Sequence, residues 1–343
     1  KYPHHHLLIT HGTPTGRATS IDIKNVRVTR IYLPFDTVDA TQRFLNTFKP
    51  ELGFLLETEL WFNLIHQAYK KSIPLYLVNA RLSEKSLQLY KKILLLIKPS
   101  LQELKGVLAQ TASDAKRFES LGAKGVEVMG NLKFDVKPPR DTKSKSVTLK
   151  KHLHLKKQSV LLIASSRQDE EEMILQSLLK LQIKNLVTIF VPRHPQRFKE
   201  IEWMLKKYRV SFIKRSDAKI TKKPYQFILG DSMGEMYSYY SLANIALMGG
   251  TILPYGGQNL IESMAMKVPV ILGPHTYNFH DVSNEAIRLG AGTRIQTLDQ
   301  LEKVLPQMLK SSSQLKMKKA CNDMIRKHQG ATLKMLNKIK STI

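Results

Sequence analysis

The chain has 343 residues, 42% of them hydrophobic, which excludes a disordered protein and favours two domains over one core. Its single cysteine, Cys321, excludes an intramolecular disulfide and suits a reducing cytoplasm. The net charge of +26 predicts an anionic partner. The two densest basic runs, 137–157 and 310–340, contain no aromatic residue for base stacking. An anionic membrane surface or lipid is therefore favoured, and no specific nucleic acid is expected.

In the first half, short apolar runs alternate with helical patterns. The helices are predicted at Thr37–Phe48, with Asp36 as its N-cap, at Ser83–Lys98 and at Ala112–Leu121. Near-continuous apolar strands between helices are typical of a parallel sheet covered on both faces. The predicted strands are His6–Thr10, Val28–Leu33, Gly53–Glu57, Leu75–Asn79, Gly106–Gln110 and Val126–Met129.

The alternation stops at the basic segment 137–157, which contains Pro138-Pro139, and then starts again. We interpret this segment as a linker between an N-terminal domain, 1–136, and a C-terminal domain, 158–343, that ends in helices from Leu298 onward. The sequence therefore predicts an α/β fold of two Rossmann-like doubly wound domains facing a cleft, where ligands bind. The predicted strands are Val160–Ala164, Val187–Val191, Val210–Lys214, Phe227–Leu229, Ile245–Met248, Val268–Leu272 and Thr293–Ile295.

A glycine-rich segment follows the strand Ile245–Met248. Gly249-Gly250 and Gly256-Gly257 precede a predicted helix that contains Asn259 and Glu262. Two glycine pairs would let backbone approach a phosphate, and the helix start would supply free N–H donors. Glu262 could then accept hydrogen bonds from ribose hydroxyls. The alternative is a loop followed by an ordinary helix N-cap.

Two further strand ends carry candidate ligand-binding groups. The turn 230–235, Gly-Asp-Ser-Met-Gly-Glu, follows Phe227–Leu229, and Pro192-Arg193-His194-Pro195 follows Val187–Val191. Ligands of parallel α/β folds bind at this edge of the sheet, and Arg193 could clamp a phosphate. The alternatives are a capped turn and an ordinary surface turn.

In the first half, Glu57 ends a predicted strand, and Lys133 follows another. A carboxylate at a strand mouth can act as acid, base or charge stabiliser, and a lysine can meet an anionic leaving group across the cleft. On spacing alone, Lys133 is one of many lysines. His4-His5-His6 is interpreted as structural, because alternation along a strand splits the three imidazoles between two faces.

Together these segments resemble one family, the 3-deoxy-D-manno-octulosonic acid (Kdo) transferases of lipopolysaccharide biosynthesis. Each segment alone is unspecific, but eight in order along nearly the whole chain are highly specific. They are Thr13-Pro14-Thr15-Gly16, Glu57-Thr58-Glu59-Leu60-Trp61, Asn79-Ala80-Arg81-Leu82-Ser83, Gly130-Asn131-Leu132-Lys133-Phe134-Asp135, Val191-Pro192-Arg193-His194-Pro195, Gly230-Asp231-Ser232-Met233-Gly234-Glu235, Gly256-Gly257-Gln258-Asn259-Leu260-Ile261-Glu262 and Gly273-Pro274-His275-Thr276.

The resemblance implies a GT-B fold and transfer of Kdo from CMP-Kdo to a lipid A precursor, with inversion, at the cytoplasmic face of the bacterial inner membrane. It implies no metal and no cofactor besides the donor. Glu57 and Lys133 match positions that stabilise the transition state. The implied nucleotide contacts are Pro192, Arg193, Met233, Gly234, Glu235, Asn259, Leu260, Ile261 and Glu262.

The chain also departs from the family pattern. A hydrophobic anchor and a Ser-x-Gly-Glu motif, whose Glu is the general base, have no counterpart here, so both are expected upstream of residue 1. Phe62 replaces a family proline, and the family more often has Thr-His near Ser166-Arg167. Two other functions remain open: a GT-B transferase or epimerase for a UDP-sugar, and a polyanion-binding protein.

Overall fold

A computed structural model describes residues 4–20, 27–181, 183–217 and 224–340. The chain divides into two compact units, unit 1 (Lys1–Asn131 and Ala331–Ile343) and unit 2 (Leu132–Gly330). All strand pairings in the described residues are parallel, which confirms the predicted α/β class.

Unit 1 contains two parallel sheets in its described part, where one was expected. Strands β1 (Leu7–His11) and β2 (Val28–Tyr32) pair with each other. The second sheet has the order β3-β4-β5-β6, with strands Gly53–Leu56, Leu75–Ala80, Gly106–Ala109 and Val126–Val128. The helices are α1 (Pro14–Thr19), α2 (Val38–Phe48), α3 (Phe62–Lys70), α4 (Glu84–Lys92), α5 (Leu94–Glu103) and α6 (Ala112–Ser120).

The capping groups of unit 1 differ from the prediction for Asp36. Thr37, not Asp36, caps α2, because its hydroxyl accepts from the N–H of Ala40. The carboxylate of Asp36 instead accepts from Asn63 N at 3.1 Å and Leu64 N at 2.9 Å, at the start of α3. A cap from a distant part of the chain cannot be seen in local sequence.

The predicted helix Ser83–Lys98 is broken at Ile93, where φ is −119° and ψ is 33°. The break separates α4 from α5 and leaves an apolar corner exposed. The exposed fractions are 45% for Ile93, 93% for Leu95 and 58% for Leu96. Ile97, by contrast, is fully buried in the core of unit 1. Among the described residues, none of the helices is both long and apolar enough to cross a membrane.

Unit 2 is built on a seven-stranded parallel sheet, counted over its described residues, in the order β13-β12-β11-β7-β8-β10-β9. The strands in chain order, β7 to β13, are Ser159–Ser166, Leu186–Pro192, Phe212–Lys214, Phe227–Leu229, Ile245–Met248, Val270–Leu272 and Gly292–Arg294. The helices α7 to α14 are Thr142–His152, Glu170–Lys180, Phe198–Lys207, Met236–Leu242, Ile261–Ala265, His280–Arg288, Leu301–Leu309 and Ser311–His328.

The two faces of this sheet bury separate cores. Successive residues of β7 alternate between them, with Leu162 in one core and Ile163 in the other. The helix after β7, α8, packs on the Ile163 side, whereas the helix after the neighbouring strand β11, α11, packs on the Leu162 side. The connections from β7 and β11 therefore leave on opposite faces, and this defines a topological switch point, the usual place for a ligand in such sheets.

The segment 137–157 is not the predicted linker. It contains α7 (Thr142–His152), and three leucines in or after that helix, Leu149, Leu153 and Leu155, are buried in unit 2. The basic residues occupy the outer side of the helix and hide the apolar spacing. The boundary at 136 is also displaced, since unit 2 begins at Leu132 and includes Lys133.

The C-terminal helices are divided between the units. Helix α15 (Ala331–Lys340) belongs to unit 1, so the predicted domain 158–343 is wrong in its last part. In α15, Met335 and Ile339 are buried, and Lys338 forms an ion pair with Glu127 of unit 1. Local sequence shows that a helix is amphipathic, but not which core it covers.

Candidate nucleotide site of unit 2

Glu262 is the centre of the candidate site, at the carboxyl edge of the unit 2 sheet. It lies in the first turn of α11, and Asn259 Nδ2 donates to its Oε1 at 3.2 Å. The side-chain oxygen of Asn259 accepts from Ile261 N at 3.2 Å, which fixes the amide orientation. Asn259 and Glu262 are therefore neighbours as expected, but not on one helix face, because α11 begins only at Ile261 and Asn259 precedes it.

The electrostatics of Glu262 combine burial with nearby cations. Burial raises the pKa of Glu262 above its usual range, while the Asn259 hydrogen bond and the positive charges of Arg193 and Lys133 oppose that shift. The Nζ of Lys133 lies 5.5 Å from the ring centroid of Phe279. Lys133 thus belongs to the same unit as Glu262, although the sequence assigned it to the N-terminal domain. This carboxylate is incompletely compensated and can accept two hydroxyl donors.

Tyr237 was missed by the sequence reasoning. Its hydroxyl is buried and has no hydrogen-bond partner among the described residues. Burial and the negative charge of Glu262 raise the pKa of Tyr237 to about 12, so the group stays a neutral donor near pH 7. The sequence offers no signal for this, because Tyr237 is one of several tyrosines in α10.

The glycine-rich segment is shaped by contacts within the protein itself. A Cβ on Gly249 would lie 2.2 Å from the carbonyl oxygen of Ser165, so this close approach requires glycine. Gly257 has φ +83°, and its N–H donates to Gly250 O at 2.7 Å. The helix that was predicted to supply free N–H donors begins only at Ile261, whose own N–H donates to Asn259 Oδ1.

Two of the implied contacts, Leu260 and Ile261, are core residues. Each side chain is 1% exposed and belongs to the unit 2 core. The Ile261 N–H is already used by Asn259. These two residues therefore support the site by packing, and their side chains do not line it.

The turn 230–235 is held by residues that follow β9. The carboxylate of Glu235 accepts from Arg215 Nε at 3.0 Å and Nη2 at 3.1 Å, a bidentate pair. Asp231 accepts from Ser216 N at 2.8 Å. Although burial acts to raise it, hydrogen bonds from Ser232 and Arg215 and the Arg215 charge lower the pKa of Glu235.

This pairing leaves the other two predicted residues of the turn at the surface. Met233 is 60% exposed, and Gly234 has φ +75°, with no atom of the described residues within 4 Å of a Cβ placed there. A cavity of about 240 Å³ lies beside Glu235 and Arg215 and is also lined by Lys145 and His152 of α7. The segment predicted as a linker thus lines a cavity beside the site.

The segment after β8 places Arg193 at the same edge. Pro192 is buried as the last residue of β8, and Arg193 N donates to Ser166 O at 3.0 Å, so the loops after β7 and β8 are joined. The Arg193 side chain is exposed and close enough to lower the pKa of Glu262. Pro195 begins a 3₁₀ turn before α9, as predicted for a proline at a helix start.

Glu170 is the second residue that the sequence reasoning missed. Its fully buried carboxylate accepts from Arg167 N at 3.2 Å, Gly250 N at 2.6 Å, Ile252 N at 2.9 Å and Leu253 N at 3.1 Å. It fixes the loops after β7 and β11 to each other. In sequence it is one of three acidic residues in the first turn of α8, which suggests only a favourable helix dipole.

Glu57, the other predicted catalytic residue, lies in unit 1 directly after β3. It has φ +57°, and its Oε2 accepts from Arg81 Nε at 3.1 Å. Asn79, with φ +51°, is the second-to-last residue of the neighbouring strand β4. A left-handed conformation at a non-glycine residue is uncommon and clusters at functional sites. Among the described residues, no group of three or more His, Cys, Asp or Glu side chains is placed to hold a metal ion.

Comparison with known proteins gives two matches of sequence. A family model described as 3-deoxy-D-manno-octulosonic-acid transferase (kdotransferase) matches residues 1–136. A Haemophilus influenzae protein named 3-deoxy-D-manno-octulosonic acid transferase is 34% identical over 99% of this chain and 81% of its own length.

Two solved structures are similar to this chain, one over 55% of it and the other over 98%. The C-terminal CMP-Kdo binding domain of WaaA from Acinetobacter baumannii is 28% identical, with a TM-score of 0.51, over 55% of this chain and 99% of that domain. A glycosyltransferase from Rickettsia africae shares the fold over 98% of this chain and 89% of its own, at 12% identity and a TM-score of 0.64.

The fold is α/β and of the GT-B class, and the sequence relatives show that the chain is a glycosyltransferase. Within that class the chain belongs to the Kdo transferase family, and it is an enzyme that transfers Kdo in lipopolysaccharide biosynthesis. The relatives favour this reading over a UDP-sugar transferase or epimerase.

Proposed function

We propose that unit 2 binds CMP-Kdo and that Glu262 accepts hydrogen bonds from the ribose hydroxyls. The observation that carries the proposal is the Glu262 carboxylate, half-buried, oriented by Asn259 and facing the charges of Arg193 and Lys133. The likeness to a CMP-Kdo binding domain over 55% of the chain supports it. Arg193, with the buried Pro192 behind it, and the 233–235 turn complete the proposed contacts.

The proposed reaction is an inverting transfer. The acceptor hydroxyl bonds to the anomeric carbon and gives its proton to a general base, while the C–O bond between Kdo and CMP breaks and CMP leaves. Lys133 stabilises the departing phosphate, and Glu57 stabilises the oxocarbenium-like transition state. The support for Glu57 is the match of its motif to the family and its orientation by Arg81. No metal or further cofactor is part of this proposal.

The proposed acceptor is a lipid A precursor, and the proposed location is the cytoplasmic face of the bacterial inner membrane. The exposed apolar corner at Ile93–Leu96 in unit 1 supports an anionic membrane as partner. Exposed Lys91, Lys92 and Lys98 flank it. Apolar side chains that enter the interface and lysines that meet anionic headgroups both favour binding, about 1 kcal/mol for each basic residue near the surface.

Nucleotide selectivity tests the donor. We expect CMP to raise the thermal unfolding temperature clearly more than UMP or UDP at equal concentration, since ligands that bind only the folded state stabilise it. Equal shifts from the three nucleotides would contradict the cytidine assignment and favour the UDP-sugar alternative.

Vesicle binding tests the membrane surface. We expect cosedimentation with phosphatidylglycerol vesicles to exceed that with phosphatidylcholine vesicles, and Leu95→Glu to reduce it several-fold. Leu179→Glu is the matched control, since Leu179 is 41% exposed on α8 of unit 2 and lies outside both basic runs. Equal losses from both substitutions would remove the α4–α5 corner from the proposal.

A further inference from the structure

Arg167, in the loop after β7, contacts two other loops at the carboxyl edge of unit 2. Its guanidinium carbon lies 5.0 Å from the ring centroid of Tyr255, in the loop after β11. Its Nη1 lies 2.9 Å from Nε2 of His194, in the segment after β8. A half-buried arginine side chain therefore sits where the loops of three adjacent strands meet.

The charge of Arg167 is not matched by a carboxylate. Neighbouring Arg197 pairs with Glu171 at 2.9 Å and also with Glu200. Arg167 forms no ion pair with any carboxylate in the described part of the chain. Its partner His194 is neutral in this contact, because arginine has only donors and Nε2 must accept. Burial and, to a smaller extent, the charges of Arg167, Arg193 and Arg197 lower the pKa of His194, which agrees with a neutral imidazole.

The backbone of Arg167 is held in place by Glu170. The backbone N–H of Arg167 donates to the buried carboxylate of Glu170. That carboxylate also accepts from three backbone N–H groups in the loop after β11. Since β7 and β11 are the strands at the topological switch point, the guanidinium lies where ligands of doubly wound sheets bind. An ordered, planar cation at such a place is suited to bidentate binding of an oxyanion.

We propose that Arg167 binds an anionic group of the sugar-nucleotide donor, either its phosphate or the carboxylate of its sugar acid. This inference rests on the proposed CMP-Kdo site and adds a residue to it. Both groups are planar or tetrahedral oxyanions that a guanidinium recognises through parallel N–H donors.

The test compares cytidine, CMP and freshly prepared CMP-Kdo in binding to the full chain and to Arg167→Gln and Arg167→Lys. Loss of a charge-assisted hydrogen bond is expected to weaken binding about 10-fold or more in Arg167→Gln, with partial retention in Arg167→Lys. Lys180→Ala, which removes one exposed charge at the far end of α8, is the control.

Each outcome has one meaning. Weaker CMP binding with unchanged cytidine binding identifies the phosphate as the partner, and unchanged CMP binding with weaker CMP-Kdo binding identifies the sugar-acid carboxylate. Unchanged binding of all three ligands, or an equal loss for cytidine and CMP, overturns the inference, and in the second case Arg167 only holds the loops together. Wild-type protein that binds none of the ligands refutes the proposed function itself, which separates the two failures.

Discussion

Two carboxylates at the same sheet edge, Glu235 and Glu262, have opposite environments. Glu235 is bound at both oxygens by Arg215, and its pKa is lowered, whereas Glu262 has one amide donor, and its pKa is raised by burial. The difference indicates that Glu235 is engaged in holding its turn, while Glu262 retains acceptor capacity for a ligand. Both carboxylates belong to segments that resemble the family, yet their surroundings in the structure differ.

The largest expected effect is that of Glu262→Gln on nucleotide binding. The neutral amide cannot accept two hydroxyl donors as a carboxylate does, so we expect CMP affinity to fall on the order of 100-fold. The unliganded protein should be at least as stable as wild type, because the cost of a buried charge is removed. Thermal unfolding with and without CMP measures both, with exposed Glu302→Gln as control. An undiminished CMP shift would take Glu262 out of the site.

Glu235→Gln should show the reverse pattern. Breaking a half-buried bidentate pair should lower the free energy of unfolding by about 1–2 kcal/mol, with a smaller change in CMP affinity. Urea unfolding of Glu235→Gln, Arg215→Gln and the double variant forms a cycle that isolates the pair. If Glu235→Gln left stability intact and removed CMP binding, the proposed contrast between the two residues would be reversed.

A smaller effect is expected for Asn259→Ala. Loss of the donor to Glu262 should weaken CMP binding about fivefold, since a neutral donor contributes about 1 kcal/mol. The loss should grow as the pH falls, because the carboxylate then protonates more readily. Calorimetric titration between pH 5.5 and pH 8, with Asn259→Asp as a second variant, checks this. A loss as large as that of Glu262→Gln would mean that Asn259 itself binds the nucleotide.

The smallest effect concerns the pH dependence of stability. The folded pKa of Glu262 is raised, so its unfavourable contribution should appear as the pH rises above 4.5, the ordinary value, through the folded pKa. The folded pKa of Glu235 is lowered, so its favourable contribution is present above 4.5 and is lost as the pH falls through the folded pKa. The difference in the free energy of unfolding between variant and wild type, measured across pH 3 to 8, should therefore have opposite signs for Glu262→Gln and Glu235→Gln. Parallel differences would remove the electrostatic distinction.

The parts of the fold that sequence predicted well are those set by local burial. The strands Phe227–Leu229 and Ile245–Met248 have the predicted limits, because each is a short apolar run bounded by polar or glycine residues. Segment 137–157 was misinterpreted because its basic surface masks three buried leucines. In both cases the deciding quantity is burial, which sequence reveals only when the pattern is uninterrupted.

The sequence predicted those candidate site residues whose signal is local. Glu262, Asn259 and Arg193 were selected because they follow strands, and the structure places Arg193 close enough to affect the pKa of Glu262. Glu170 was missed because it acts on the loop Gly250–Leu253, some eighty residues later. The close contact of Gly249 with Ser165 in another loop could not be predicted for the same reason.

Helix α15 has a consequence for how the chain is made. Because α15 belongs to unit 1 but follows unit 2, unit 2 is in effect an insertion within unit 1, bounded by Asn131 and Ala331. During synthesis, unit 2 can complete its core while unit 1 still lacks Met335 and Ile339. Unit 1 is therefore discontinuous along the chain, and its last helix is translated only after the whole of unit 2.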